Sequence, residues 1–280
     1  MPDPTTRDPG GTAIHPAPRL PGGVRERLDR LDPRRLPPAA EHLALLVPGA
    51  LGLAILALVA WGAAEIYESV LEQDHLAALD RPALFAAMSI RDGWLDGLVT
   101  AFTTVGGPLI APIAAAAAVV ALALAWRSWL PITLMAAATA GSLAVTVIGK
   151  GYLDRVRPPH EFAVPPYEWS PSFPSGHSLN SVVIGGVIAY LLWRRLEARG
   201  RRIAVVAGAC AYALLMGLSR VYLGHHWLTD VVTGWIIGLG WLAAIIGLHQ
   251  LALAVKHRRR GGSLGPAGAD AAASRQAPPA

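Results

Sequence analysis

Charge is what this chain has least of. Only 15% of its 280 residues are Asp, Glu, Lys or Arg, against about 25% in ordinary soluble domains. Those few crowd into the termini and a handful of loops. Cysteine is nearly absent: the single Cys210 excludes an intramolecular disulfide and reads as a small packing residue within an apolar segment. Neither an HExxH zinc pattern nor a Gly-rich nucleotide loop followed by Lys-Ser/Thr occurs, so neither a metal nor another cofactor is expected. The excess of positive charge gives no reason to expect nucleic acid, because membrane topology accounts for most of it.

What the chain has in quantity is apolar sequence, 53% of all residues. Six stretches approach the ~20 residues that cross a bilayer as a helix: roughly 44–66, 98–126, 131–149, 178–193, 203–219 and 229–252. The second is interrupted at Gly106-Gly107-Pro108, and the fourth is short enough to need flanking residues. Alanine-rich runs such as Ala111–Ala125 would also suit the core of a large soluble protein, but no amphipathic helices remain to cover them. The expected fold is therefore all-α, a polytopic membrane bundle of about six transmembrane helices spanning residues 41–255. Residues 1–40, rich in Pro, Gly and Arg, and residues 256–280 read as disordered tails. The first apolar run has full spanning length, which argues against a cleaved signal peptide.

Orientation follows from the basic residues. Six spans put both tails on one side together with Arg127 and the arginines from Arg194 to Arg202, so that side holds most of the 24 Lys and Arg. Both termini are thus expected in the cytoplasm. Trp94, Trp126, Trp129, Trp193 and Trp227 stand near span ends, where indole rings favour the headgroup layer. The stretch from Tyr67 to Trp94 reads as an outer loop with an interfacial helix.

Three short clusters run against the topological trend: Lys150 with Arg157-Pro158, Pro174-Ser175-Gly176-His177, and Ser219-Arg220 with His226 and Asp230. Lys150 ends the third span, His177 begins the fourth, Arg220 ends the fifth and His226 precedes the sixth. All four ends fall on the same, extracytoplasmic face. His226 and Asp230 are four apart and share a helix face. A carboxylate there can hold Nδ1–H of the imidazole and leave Nε2 free as a nucleophile, although an aspartate so placed also serves as a helix cap. Ser175 and Gly176 open a helix whose exposed N–H groups attract phosphate. His177 is placed to act as acid and base. Lys150, Arg157 and Arg220 supply positive charge for phosphoryl oxygens; each alone would read as a cation snorkelling to the headgroups. His225 would face another way and reads as a supporting or headgroup residue. His160, Glu161 and Glu168 read as loop residues at the entrance.

Together the clusters read KxxxxxxRP, PSGH and SRxxxxxHxxxD without a departure, and the chain resembles membrane members of the type 2 phosphatidic acid phosphatase superfamily. The resemblance implies a metal-independent hydrolase acting on lipid phosphomonoesters or diphosphates through a phosphohistidine. It implies His226 as nucleophile, His177 as acid and base, and Asp230 as the orienting group, with Lys150, Arg157, Ser175, Gly176 and Arg220 binding phosphate. Among the lipid substrates of that family, undecaprenyl diphosphate is the favoured expectation at an outward-facing site. Phosphatidate or phosphatidylglycerol phosphate is the next reading. A lipid-linked phosphotransferase and a catalytically silent lipid-binding or transport protein are the alternatives.

Overall fold

The computed structural model describes residues 54, 57–59, 61–72 and 74–262. Among these there is no strand, and the element order is helical throughout. Residues 61–72 form a helix. A 3-10 turn, Ala77–Leu79, leads into α1 (Asp80–Ser89), followed by α2 (Gly93–Val105), α3 (Ile110–Trp126), α4 (Leu130–Leu153), α5 (Gly176–Trp193), α6 (Arg199–Tyr222) and α7 (Leu228–Gly262).

Among the described residues, four segments are long and apolar enough to cross a membrane: Leu130–Gly151, Gly176–Trp193, Arg199–Tyr222 and Leu228–Lys256. The expected second span is two helices, α2 and α3, bent by 52° at the Gly106-Gly107-Pro108 break, and counts as a fifth crossing if the pair is one span. Most of the expected first span, 44–66, and the 1–40 tail lie outside the described residues. The last helix runs on to Gly262, beyond the expected limit at 255.

α5 is the central helix and packs against α4, α6 and α7. Leu179, Val183, Val187 and Leu191 are almost completely enclosed along it. In lipid, apolar side chains gain little by leaving a solvent that is itself apolar, so close backbone approach and interhelical hydrogen bonds take over. Gly234 supplies that approach: a Cβ there would stand 2.7 Å from the carbonyl oxygen of Ser175. Two indoles reach across to neighbouring helix carbonyls, Trp241 Nε1–H to Ala138 at 2.8 Å and Trp235 Nε1–H to Ala213 at 3.0 Å. Outward-facing Ile113, Leu124, Leu143, Val147, Leu215 and Leu248 are exposed, as a lipid-facing surface requires. Cys210 is also exposed rather than packed inside, a correction that follows from α6 turning that side of the helix away from its neighbours.

The stretch from Tyr67 to Trp94, read as an outer loop with an interfacial helix, contains α1. This helix buries Asp80 and Leu84 and leaves Phe85 half exposed. At the same end of the bundle lie the end of α4, the beginning of α5, the end of α6 and the beginning of α7, with the loop between Leu153 and Gly176 crossing among them.

Candidate active site

His226 stands between α6 and α7 and is 1% exposed. The chain turns into it through Gly224, at φ +70, a left-handed conformation that glycine adopts without steric cost. The His226 backbone N–H donates to the carbonyl of Arg220 at 3.2 Å. Arg157 Nη1 lies 3.2 Å from His226 Nε2. A guanidinium can only donate, so Nε2 is the accepting nitrogen and the proton sits on Nδ1. On that side Ser172 Oγ lies 3.3 Å from Nδ1, and its own hydroxyl donates to Asp230 Oδ2 at 2.5 Å. Burial, reinforced by the nearby Arg157 and Arg220, holds the imidazole well below its ordinary pKa of 6.5.

The direct hydrogen bond expected between His226 and Asp230 is not made. Nδ1 and Oδ2 are 3.5 Å apart, with the Ser172 hydroxyl joining the two. Asp230 also accepts the Trp227 backbone N–H at 2.9 Å, so the capping role and the orienting position belong to one carboxylate. Its other oxygen accepts from Arg155 Nη1 at 2.5 Å, while Arg155 Nη2 donates to Asp80 Oδ2 at 2.7 Å. Asp80 is in turn held by the N–H and the hydroxyl of Thr229, each at 2.8 Å. Asp80, Arg155 and Asp230 form a nearly dry acid–base–acid chain. It is stable as a set because every charge has a partner, whereas removing one member strands the others.

The three expected cations converge. Arg157 is 9% and Arg220 1% exposed. Arg157 Nε donates to the Ser170 carbonyl at 2.6 Å, and Nη1 to the His225 carbonyl at 2.5 Å. Arg220 Nη1 donates to Thr103 Oγ1 at 2.9 Å, and its Nε makes no hydrogen bond. Lys150 Nζ donates to Ser170 Oγ at 2.8 Å and to the Pro171 carbonyl at 2.7 Å. Ser175 caps α5, its hydroxyl accepting the Ser178 N–H at 3.4 Å. A Cβ on Gly176 would stand 3.2 Å from Thr146 Cγ2, which keeps α5 tight against α4.

A cavity of about 1040 Å³ joins these groups to the apolar interior. Lys150, Gly176, His177 and His226 line its polar end; Ala115, Val119, Met135 and Leu143 line the remainder between α3 and α4. Seven of the eight expected site residues thus gather at this end of the bundle as cavity lining or in the hydrogen-bonded shell behind it, and Asp230 joins them through Ser172.

Sequence reasoning missed Arg155, Asp80 and Ser172, and treated Glu168 only as an entrance residue. Glu168 Oε2 is 2.9 Å from Arg157 Nη2, and Oε1 accepts from Arg220 Nη2. Burial opposes its ionisation, but Arg220 first and then Arg157 outweigh that and hold the carboxyl at about 2. His225 is buried rather than facing headgroups, with Nε2 2.7 Å from the Val164 carbonyl. Burial and Arg220 push its pKa down to about 4. The one signal that could have found Arg155 was its position two residues before Arg157 among the few basic residues on that side.

Comparison with known proteins gives a consistent result. The profile of the PAP2 superfamily matches residues 131–253. Phosphatidylglycerophosphatase B of Bacillus subtilis is 33% identical over 182 residues, covering 62% of this chain and 85% of that protein. An undecaprenyl-diphosphatase of Sulfolobus acidocaldarius is 34% identical over 90 residues, covering 30% of this chain and 39% of its own. Among solved structures, a transmembrane PAP2-type phosphatidylglycerolphosphate phosphatase from Bacillus subtilis superposes with a TM-score of 0.61 at 29% identity, over 71% of this chain and 96% of that one.

Proposed function

The chain belongs to the PAP2 superfamily, as an integral membrane hydrolase of lipid phosphate bonds, and from that premise we propose that it removes the terminal phosphate of a phosphatidylglycerol-phosphate-like lipid through a phosphohistidine. The observation that carries this reading is the Arg157 contact that identifies His226 Nε2 as an accepting nitrogen at the polar end of a lipid-sized cavity.

In the first step the Nε2 lone pair attacks phosphorus, an N–P bond forms, and the P–O bond to the lipid breaks. His177, which lines the same cavity, gives a proton to the departing oxygen. In the second step His177 takes a proton from water as the water oxygen attacks phosphorus, the N–P bond breaks, and inorganic phosphate leaves. Positive charge grows on the His226 ring during attack. Asp230, reached through Ser172, stabilises that charge, as an oriented carboxylate does in hydrolytic triads. Lys150, Arg157 and Arg220 offset the charge on the phosphoryl oxygens, and in a nearly dry site such fixed donors act more strongly than in water.

Undecaprenyl diphosphate was the favoured expectation from sequence. The relative matched over most of its length is named for phosphatidylglycerophosphate, and the choice here follows it; undecaprenyl diphosphate is the second reading, favoured by the relative matched over a shorter region. The distribution of basic residues supports a site on the extracytoplasmic side. Phosphate release from phosphatidylglycerol phosphate, undecaprenyl diphosphate and phosphatidate by purified protein, beside a His226→Ala control, tests the proposal. Faster release from the first, lost in the control, supports it; faster release from undecaprenyl diphosphate replaces it with the second reading.

A further inference from the structure

The phosphate-binding arginines are already occupied by a residue of the chain itself. Glu168 offers one carboxylate oxygen to Arg220 Nη2 and the other to Arg157 Nη2, the latter at 2.9 Å. The carboxylate thus bridges two guanidinium groups through charge-assisted N–H contacts, the kind by which arginines also hold phosphate. Among the described residues the carboxylate has no further partner nearer than the His225 ring, at 4.0 Å. Glu168 lines the cavity together with Lys150, His177 and His226.

The loop that carries it reaches outward. The Glu168 side chain is 31% exposed although both arginines are buried. Its neighbour Trp169 is 83% exposed. Tyr167 and Trp169 hold the loop by resting on the His160 ring, with centroids 5.0 and 4.5 Å apart, so neither aromatic clamps the carboxylate in place. Two arginines and a lysine gathered without an anion would repel one another in a medium that screens charge poorly. One resident negative charge offsets part of that repulsion.

We propose that Glu168 is a specificity-determining residue: its carboxylate occupies the phosphate position and is exchanged for the substrate's phosphate at every turnover. The proposal rests on the reading of Arg157 and Arg220 as phosphate ligands. The exchange sets a charge threshold. A phosphomonoester brings nearly two negative charges and a third oxygen, so it gains by displacing a carboxylate. A phosphodiester headgroup brings one charge and gains little. The bulk phospholipids of the membrane, all phosphodiesters at this position, are thereby kept from filling the site.

The test compares the wild type with Glu168→Gln, which keeps the shape and removes the charge. Inorganic phosphate binding is measured by calorimetry in detergent, and inhibition of phosphatidylglycerol phosphate turnover by phosphatidylglycerol is measured alongside. Losing a charge-assisted competitor should tighten phosphate binding about tenfold, with a larger gain for phosphatidylglycerol. If Glu168→Gln does not fold, Glu168→Asp carries the same test, since its shorter arm cannot span both arginines. Phosphate affinity unchanged or weakened, in a variant that still turns over, overturns the competition and leaves the phosphatase reading intact. Tightened phosphate binding without turnover in the wild type upholds the competition and retires the phosphatase reading.

Discussion

Ser172 stands between His226 and Asp230, its oxygen 2.5 Å from Asp230 Oδ2 and 3.3 Å from His226 Nδ1. The hydroxyl gives its own proton to the carboxylate and receives the imidazole proton, so a single rotor passes the orienting effect of Asp230 to the ring. Ser172→Ala should therefore lower kcat by roughly 10–100-fold with little change in KM, as expected when a group acts in the transition state and not on ground-state binding. Steady-state kinetics on phosphatidylglycerol phosphate check this. A rise in KM at constant kcat would place Ser172 among the substrate contacts instead.

Removing the proposed nucleophile is more severe. His226→Ala should reduce turnover by at least about 10³-fold while lipid binding is largely kept, because the apolar walls at Ala115, Val119, Met135 and Leu143 are untouched. Turnover close to wild type would assign the attack to another group.

The Arg155 chain predicts a stability effect. Arg155→Ala leaves Asp80 and Asp230, 3% and 0% exposed, without their shared cation. The expected loss is about 3–5 kcal/mol, read as a lowered melting temperature in detergent, with the Arg155→Ala, Asp80→Asn double variant recovering part of it. Equal melting of wild type and single variant would mean that the carboxylates relax to other partners.

Acid should weaken the fold in a defined window. His225, at about 4, and His226, well below 6.5, both refuse a proton that the unfolded chain accepts near 6.5. Below that pH the unfolded state binds more protons, so stability falls as pH falls from about 6.5 toward 4. Glu168, at about 2, adds a contribution that is full above its ordinary 4.5 and is lost as pH falls from there toward 2. Melting temperatures at pH 7, 6 and 5 should decline in order. The acidic limb of the kcat/KM profile should likewise lie below 6.5, because the proposed attack requires His226 as the neutral ring.

Chelation should have no effect. Among the described residues no group of three or more His, Cys, Asp or Glu is placed to hold a metal ion, and the positive charge around the cavity comes from Lys150, Arg157 and Arg220. Activity after EDTA treatment checks this, and activity restored only by added Mg²⁺ would contradict it.

The helix ends that meet at the site were legible in the sequence because bilayer length fixes where apolar runs stop, and three motifs stood at those stops. The bend at Gly106-Gly107-Pro108 was legible for the same reason: a run of apolar residues carried two glycines and a proline inside it. Arg155, Asp80 and Ser172 were not. Arg155 meets Asp80 across 75 positions and Ser172 meets Asp230 across 58, and irregular loops carry no periodicity from which such a pairing follows. Glu168 was read only as a loop residue at the entrance, because nothing local indicates that its carboxylate also turns inward onto Arg157 and Arg220. The direct His226–Asp230 bond was a fair reading of i, i+4 spacing, but His226 precedes the first helical residue, Leu228, and that spacing rule holds only within the helix.

The cavity between α3 and α4 has a kinetic meaning. Its walls run from His177 to Val120 and Leu143, both of which are exposed on the apolar flank of the bundle. A lipid entering there arrives by two-dimensional diffusion, so the quantity that governs rate is its mole fraction in the bilayer or micelle. Adding inert detergent at constant bulk substrate should slow the enzyme by surface dilution, while adding more mixed micelles of the same composition should leave its half-saturation mole fraction where it was.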